Sequence, residues 1–247
     1  MYRKYRILCF KLVMILNGRL ALIAEKVPEC NVVCDIGSDH AYVPIYLVQR
    51  GKCRRAIATD IKEGPVAISK RNIEEYGLES YIDARVGDGL EPVNQNEIDV
   101  IIIAGMGGKL IAKILEEGII KAKKARCLVL QPMNSEELVS KWLYENGFEI
   151  IDEGLAKEGN KIYDVKVAKW EPEPGENGNY SEIDIYISPK LISNNGPILP
   201  EYINKKINIL NKKIRGLQMS KNTPHDELEK CIKLRNEMVE ILHRVMA

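Results

Sequence analysis

Short apolar runs alternate with amphipathic segments along the first two thirds of the chain. Five runs rich in β-branched residues predict buried strands at 32–36, 56–60, 81–86, 100–104 and 127–130. Apolar residues at helical spacing predict helices around these runs, at 16–27, 46–50, 65–76, 109–117 and 136–146. Buried strands separated by helices are typical of a parallel α/β sheet.

Two more predicted strands close this region. Residues 148–152 and 162–167 flank Gly159-Asn160, a dipeptide suited to a tight turn, and together they predict a hairpin. A hairpin at the end of a parallel series places one antiparallel strand in the sheet. We therefore expect a Rossmann-like sheet that is mostly parallel, with one antiparallel strand.

The pattern changes after this hairpin. A polar stretch rich in Pro and Gly at 171–179 predicts a linker. Beyond it, apolar residues recur at heptad spacing through 203–217 and again through 228–245, which favours two packed helices. The sequence thus predicts an α/β domain at 14–170 and a coiled-coil-like α-helical hairpin domain at 180–247. Residues 1–13 form a basic N-terminal extension without an assigned role.

Composition narrows the class of protein. The chain of 247 residues has no run of about 18 uncharged apolar residues, so no membrane-spanning helix is expected. Its six cysteines include no C-x-x-C pair, which argues against a zinc site and against a disulfide framework. We expect a cytoplasmic protein without a bound metal, either a monomer or a homodimer.

Charge is unevenly distributed, although the net charge is only +1. Residues 1–26 carry +5 and residues 201–247 carry +4, whereas the residues between them carry −8. Basic ends around an acidic body favour a polyanionic partner such as a nucleic acid. Lys-rich solvated helices produce the same imbalance, and charge alone does not separate the two interpretations.

Acidic residues and glycines follow four of the predicted strands. Asp35-Ile36-Gly37-Ser38-Asp39-His40 spans the end of the first strand, and Asp60 ends the second, 23 residues beyond Gly37. Gly87-Asp88-Gly89 follows the third strand, and Gly105-Met106-Gly107-Gly108 follows the fourth. In an open α/β sheet, ligands bind outside the carboxyl ends of the strands, so these residues are expected to share one cleft.

The sign of the charge indicates which cofactor suits this cleft. A dinucleotide site needs G-x-G-x-x-G to bring backbone amides to a pyrophosphate, and this loop has one glycine of that pattern. Carboxylates at Asp35, Asp39, Asp60 and Asp88 oppose a pyrophosphate but attract the sulfonium and ammonium groups of S-adenosylmethionine. An acidic residue at the end of the second strand can also accept both hydroxyls of a ribose, a role that falls to Asp60. We therefore predict S-adenosylmethionine as the cofactor.

Four segments together resemble a known enzyme family. They are DIGSDHAYVPIYL (35–47), GDGL (87–90), IAGMGGKLIAKILE (103–116) and LQPMNSEELVSKWL (130–143). The combination is similar to the bacterial tRNA (adenine-22-N1)-methyltransferase family, over about residues 16–169 and with a matching helical tail. This resemblance implies a class I methyltransferase fold and S-adenosylmethionine-dependent methylation of adenine N1 in the D-arm region of tRNA.

The same resemblance implies roles for individual residues in the cleft. Asp60 binds the ribose of the donor, and Asp88 with Gly89 binds its adenine. The methionine side is lined by Asp35, Gly37, Ser38, Asp39 and His40. The methyl-transfer face is formed by Gly105, Met106, Gly107 and Gly108.

Positioning is the main chemical requirement of this reaction. Adenine N1 has a free lone pair and no proton to lose, so neither a general base nor a catalytic triad is expected. Asp39, His40 and Gln131 are predicted to hold the adenine amino group, and Tyr42 or Tyr163 to stack on the base. N1 lies on the Watson–Crick edge, so the target base has to be unpaired or flipped out.

Basic residues near both ends are the predicted tRNA contacts. They are Arg19, Lys26, Lys205, Lys206, Lys212, Lys213 and Arg215. Contacts to phosphates make affinity fall steeply with salt. Two other interpretations stay open, namely small-molecule methylation by the same fold and a non-catalytic RNA-binding protein. Donor binding and salt-sensitive RNA binding distinguish among the three.

Overall fold

A computed structural model describes residues 12–172, 180–220 and 225–247. Seven strands form one sheet in the order β3-β2-β1-β4-β5-β7-β6. They are β1 (Cys30–Ile36), β2 (Cys53–Asp60), β3 (Ile82–Val86), β4 (Val100–Met106), β5 (Cys127–Pro132), β6 (Phe148–Glu158) and β7 (Lys161–Trp170). Only β7 runs antiparallel to its neighbours, β5 and β6. The predicted sheet with one antiparallel strand is confirmed.

Helices connect the strands and continue beyond the sheet. They are α1 (Gly18–Lys26), α2 (Tyr42–Gln49), α3 (Glu63–Glu75), α4 (Gly108–Glu117), α5 (Ile119–Lys124), α6 (Glu136–Glu145), α7 (Glu182–Tyr186), α8 (Pro189–Asn194), α9 (Leu199–Met219) and α10 (His225–Met246). The sequence pattern did not predict α5, α7 and α8, because helices of five or six residues are too short to show a periodicity. None of the helices in the described ranges has the length and apolar character needed to cross a membrane.

Two parts of the sequence-based interpretation lie outside the described residues. Most of the predicted linker, residues 173–179, is among them. So are residues 1–11 of the N-terminal extension.

The core lies on both faces of the sheet. The four residues 100–103 of β4 are fully buried, as a central strand covered on both sides requires. Val100 and Ile102 pack with α1, α2 and α3 on one face. Ile101 and Ile103 pack with α4 and α6 on the other.

The C-terminal helices share a third apolar cluster with the end of the sheet. This cluster includes Ile162 of β7, Tyr202 and Ile203 of α9, and Met238 of α10. Lys213 of α9 pairs with Glu227 near the start of α10 (2.9 Å), as expected when the two helices run antiparallel. The predicted packing of α9 against α10 is therefore present, and α9 also packs directly on the sheet.

A buried charged cluster lies at the same junction. Glu153, Asp164 and Lys166 are each at most 1% exposed, and the Lys166 ammonium contacts both carboxylates, with 2.7 Å to Asp164 Oδ2. The Ser188 hydroxyl donates to Glu153, and the Tyr202 hydroxyl donates to Asp164 Oδ2 (3.4 Å). Polar bonds thus join β6 and β7 to the C-terminal helices.

Candidate active site

The loop after β1 is fixed by both neighbouring elements. Gly37 has a φ of +74°, and a Cβ built on it would lie 2.0 Å from Met106 Cε, so a larger residue would have to displace that side chain. The Ser38 N–H donates to Thr59 O (2.7 Å), while Ser38 O accepts from Ser69 Oγ (3.1 Å). The loop is therefore anchored above the carboxyl ends of β1 and β2.

Asp35 places a carboxyl group beneath this loop. It is 8% exposed, and burial raises its pKa to about 6, an effect that a hydrogen bond with Ser38 opposes. Among the described residues, no Lys or Arg side chain forms an ion pair with it. At neutral pH the group is therefore a mostly ionised carboxylate without a protein counter-ion, which suits a cationic ligand.

Asp39 and His40 lie at the solvent-facing rim of the cleft. His40 Nε2 is 3.3 Å from Asp39 Oδ2, and the side chains are 39% and 64% exposed, respectively. The His40 ring stacks on Tyr42 with a centroid distance of 4.9 Å, and Asn72 Nδ2 donates to His40 O (3.0 Å). Asp39 and His40, which are predicted to hold the adenine amino group, are thus accessible to a ligand. One face of the Tyr42 ring is already covered by the His40 imidazole.

Asp60 and Asp88 stand at the ends of the next two strands. Asp60 Oδ1 accepts the Lys62 N–H (2.8 Å), and Asp60 O accepts the Gly87 N–H (3.0 Å), which ties the loop after β3 to the end of β2. Asp88 is exposed, and Gly89 adopts a φ of +49°. The structure thus brings the four predicted carboxylates to one edge of the sheet.

The glycines after β4 allow a close backbone crossing. The Gly108 N–H donates to Asn134 O (2.9 Å), and a Cβ at Gly108 would lie 2.1 Å from Ser135 O. A backbone atom cannot move aside as a flexible side chain can, so position 108 requires glycine. This contact joins the methyl-transfer face to the loop that follows β5.

Gln131 is fully buried beside this face and does not point to solvent. Its Oε1 accepts from Arg19 Nη1 (3.1 Å) and from the Gly105 N–H (3.2 Å), while its Nε2 donates to Pro132 O (2.6 Å). The Arg19 guanidinium lies over the ring of Tyr163, 5.7 Å from its centroid. The expectation that Gln131 holds the target adenine and that Tyr163 stacks on it finds no support here, because both groups are already occupied.

These residues fit a cationic nucleoside donor. The cleft combines an unpaired carboxylate at Asp35, a loop whose Gly37 leaves no room for a Cβ beside Met106, and an acidic residue at the end of β2. Within the described part of the chain, no group of three or more His, Cys, Asp or Glu side chains could hold a metal ion.

The sequence and the fold of this chain are similar to those of known methyltransferases. A family model for a methyltransferase domain matches residues 16–165. The tRNA (adenine(22)-N(1))-methyltransferase of Bacillus subtilis (strain 168) is 46% identical over 154 residues, which span 62% of this chain and 65% of that enzyme. The crystal structure of B. subtilis TrmK, an M1A22 tRNA methyltransferase, is 34% identical with a TM-score of 0.80, covering 95% of this chain and 100% of that one.

A second solved structure contains a ligand. Streptococcus pneumoniae Sp1610 in complex with S-adenosyl-L-methionine is 33% identical with a TM-score of 0.77, covering 93% of this chain and 100% of that one. The chain belongs to the tRNA (adenine(22)-N(1))-methyltransferase family. The resemblance read from its four motifs is thereby confirmed.

In this methyltransferase, the predicted tRNA-binding residues occupy different environments. Lys26 pairs with Asp152 (2.6 Å), and the buried Lys206 pairs with Glu136 (3.0 Å). Their ammonium groups already have partners, so phosphate contacts by these two find no support. The other predicted residues, Lys205, Lys212, Lys213 and Arg215, are exposed, and among them Lys213 pairs with Glu227 (2.9 Å). Arg19 lies in the cleft itself.

A cleft of about 550 Å³ lies between the loop after β5 and the C-terminal helices α9 and α10. Its lining includes Met133 and Asn134 from the loop after β5. Charged side chains of both signs line the rest, namely Lys205, Lys206, Lys213, Lys230, Glu136, Glu137, Glu182 and Glu227. Asn134 is also the residue that contacts the glycines after β4. Residues 133 and 134 were not among the predicted site residues, and their only signal in the sequence is their place in the fourth motif.

Proposed function

We propose that this methyltransferase transfers a methyl group from S-adenosylmethionine to N1 of adenine 22 in tRNA. The observation that carries the proposal is the cleft of carboxylates and glycines at the carboxyl ends of β1 to β4. Relatives named tRNA (adenine(22)-N(1))-methyltransferase and TrmK support the substrate, and the Sp1610 complex supports the donor.

The acidic residues would hold the donor, which when bound supplies a methyl group on a positively charged sulfur. Asp35 and Asp39 lower the energy of its positive charges, and Asp60 accepts hydrogen bonds from its ribose hydroxyls. Asp88 and Gly89 bind its adenine. Ile61 follows Asp60 directly and is 59% exposed, which offers an apolar surface to the adenine ring.

The target adenine needs orientation more than proton transfer. Its N1 is a neutral nucleophile, and methylation leaves the base positively charged. The carboxylates of Asp35 and Asp39 favour that product charge as they favour the donor. Asp39 or His40, both exposed at the rim, accepts a hydrogen bond from the adenine amino group, and the second face of Tyr42 is a stacking surface.

We further propose that the chain divides into a catalytic unit at 14–170 and a helical unit at 180–247 that holds the tRNA in the cytoplasm. Lys205, Lys212 and Arg215 are exposed on α9. The cleft leading from α9 to Asn134 supports a path for the RNA toward the methyl-transfer face.

The test is to incubate the protein with unmodified tRNA transcript and isotopically labelled donor, then to digest and separate the nucleosides. We expect labelled 1-methyladenosine, and none from a matched transcript with guanine at position 22. Label in N6-methyladenosine or in a pyrimidine would refute the proposal. Donor binding without methylation of any RNA would favour the small-molecule or non-catalytic alternative.

A further inference from the structure

Arg19 brings an uncompensated positive charge into the methyl-transfer cleft. Its Nη1 bonds Gln131 Oε1 (3.1 Å) and lies 3.6 Å from the position of a Cβ on Gly105. Among the described residues, no carboxylate forms an ion pair with its guanidinium. The Glu158 carboxylate instead accepts the Arg19 backbone N–H (2.7 Å).

The side chain is held in place by two independent contacts. The Gln131 side chain is oriented by two hydrogen bonds: its Oε1 accepts from the Gly105 N–H, and its Nε2 donates to Pro132 O. The direction of the hydrogen bond from Arg19 to Oε1 is therefore fixed. Tyr163 supports the plane of the guanidinium. Gln131 uses one N–H of the guanidinium fork, and the other N–H groups stay available to a ligand.

A fixed cation at this position opposes the proposed reaction unless an anion neutralises it. Both the donor and the methylated base are positively charged, and an added positive charge raises the energy of each. Adenine is a poor partner for the fork, because its Hoogsteen edge pairs one acceptor with one donor. A planar oxyanion matches two parallel N–H donors.

We infer that Arg19 is an oxyanion clamp of the methyl-transfer cleft, and that Gln131 and Tyr163 are its positioning residues. This inference rests on the proposed function. Two oxyanions enter that cleft with the reactants, the α-carboxylate of S-adenosylmethionine and the phosphate of the target nucleotide. Both present the same chemistry to the guanidinium.

The experiment removes the positive charge of Arg19 from the protein and, separately, the candidate anion from each ligand. Arg19→Ala is compared with wild type by calorimetric titration of S-adenosylmethionine and of its decarboxylated analogue. Wild type and Arg19→Ala are also compared for binding of unmodified tRNA and of tRNA that carries one uncharged methylphosphonate linkage at adenine 22. Arg50→Ala is the matched control, because Arg50 also lies over a tyrosine ring, that of Tyr46 (5.3 Å), but is exposed just after α2 and belongs to no predicted site.

We expect Arg19→Ala to weaken binding of either S-adenosylmethionine or unmodified tRNA by roughly 10- to 100-fold, and not to weaken binding of the analogue that lacks the corresponding carboxylate or phosphate charge. An effect confined to the carboxylate assigns the clamp to the donor, and one confined to the phosphate assigns it to the target nucleotide. Gln131→Leu should reduce the same affinity by a smaller factor. Thermal denaturation of each variant checks that it is folded.

Two results would overturn the inference. One is unchanged affinity for all four ligands in Arg19→Ala, and the other is an equal loss for each ligand and for its analogue without the carboxylate or phosphate charge. A failure of the proposed function is read separately, as a wild-type protein that forms no 1-methyladenosine. The donor titrations remain interpretable in that case.

Discussion

Asp35 shows how one buried residue couples ligand binding to pH. Its pKa of about 6 follows from burial, so its carboxyl group gains a proton as the pH falls from 7 to 5. The protonated group no longer attracts a cationic donor. We predict that the affinity for S-adenosylmethionine, measured by calorimetry, falls by up to about tenfold per pH unit below pH 6.

Asp35→Asn isolates this charge. Hydrogen bonds to a charged group contribute about 1.5–3 kcal/mol, so the variant should bind the donor correspondingly more weakly at pH 7.5 and without pH dependence between 5 and 7. Asp226→Asn, at an exposed position on α10, should behave as wild type. A pH profile shared by wild type and Asp35→Asn would contradict this assignment.

Gly108 is the residue at which the backbone tolerates no side chain. Gly108→Ala places a Cβ 2.1 Å from Ser135 O, and relief of that overlap requires the two loops to separate. We predict a loss of about 1–3 kcal/mol in the free energy of unfolding. Gly216→Ala is the control, because a Cβ at this exposed helical position meets nothing within 4 Å and should raise stability by up to about 1 kcal/mol. Equal denaturation midpoints for the two variants would show that the crossing is loose.

At the scale of elements, α1 is anchored at its end by a lysine from the loop before β2. Lys52 Nζ donates to the carbonyls of Ala24 (2.9 Å), Glu25 (2.8 Å) and Val27 (2.9 Å), which are otherwise unpaired at a helix terminus. Partial burial lowers the Lys52 pKa, yet the ammonium matches the negative end of the helix dipole. We predict that Lys52→Met lowers the free energy of unfolding by about 1–3 kcal/mol in urea denaturation.

The same change reports on the coupling of α1 to the cleft. Arg19 lies at the start of α1, so a loosened helix should also weaken the ligand that Arg19 binds. Lys70→Met on the exposed face of α3 is the control and should change neither quantity. A stable Lys52→Met variant would mean that water replaces the ammonium at these carbonyls.

The elements of the sheet were predictable because their signals are local. A β-branched run such as 100–103 shows its burial within four residues, and parallel strands bring their carboxyl ends together without further information. The contact between Arg19 and Gln131 joins residues 112 apart in the chain, so no local pattern contained it. Lys206 illustrates the same point, since its burial depends on a partner, Glu136, that lies 70 residues away. For that reason the sequence-based prediction assigned both cations to tRNA contacts.

At the scale of the whole molecule, Asp164 links the sheet to the C-terminal helices through a carboxyl group that titrates near neutral pH. Burial and the nearby Glu153 raise its pKa to about 7. Burial is also the largest influence on Glu153 and acts to raise its pKa, but the Lys166 ammonium and the hydrogen bonds of Asp164 and Ser188 together lower it. In the unfolded chain the Asp164 carboxyl loses its proton near pH 4. Between pH 4 and 7 the folded state therefore binds the extra proton, and stability declines as the pH rises.

Asp164→Asn keeps this position neutral at every pH and can still accept the Tyr202 hydroxyl. The variant should unfold near the wild-type temperature at pH 5, and its advantage should grow through pH 7 to about 1–3 kcal/mol and then level off. Glu153→Gln should also flatten the wild-type decline between pH 5 and 7, because Asp164 then becomes the sole counter-ion of Lys166 and its pKa returns toward the ordinary range. Thermal denaturation of the three proteins from pH 5 to 8.5 measures these curves. Parallel curves for wild type and Asp164→Asn would mean that Asp164 is already ionised throughout, and that Lys166 compensates two carboxylates at once.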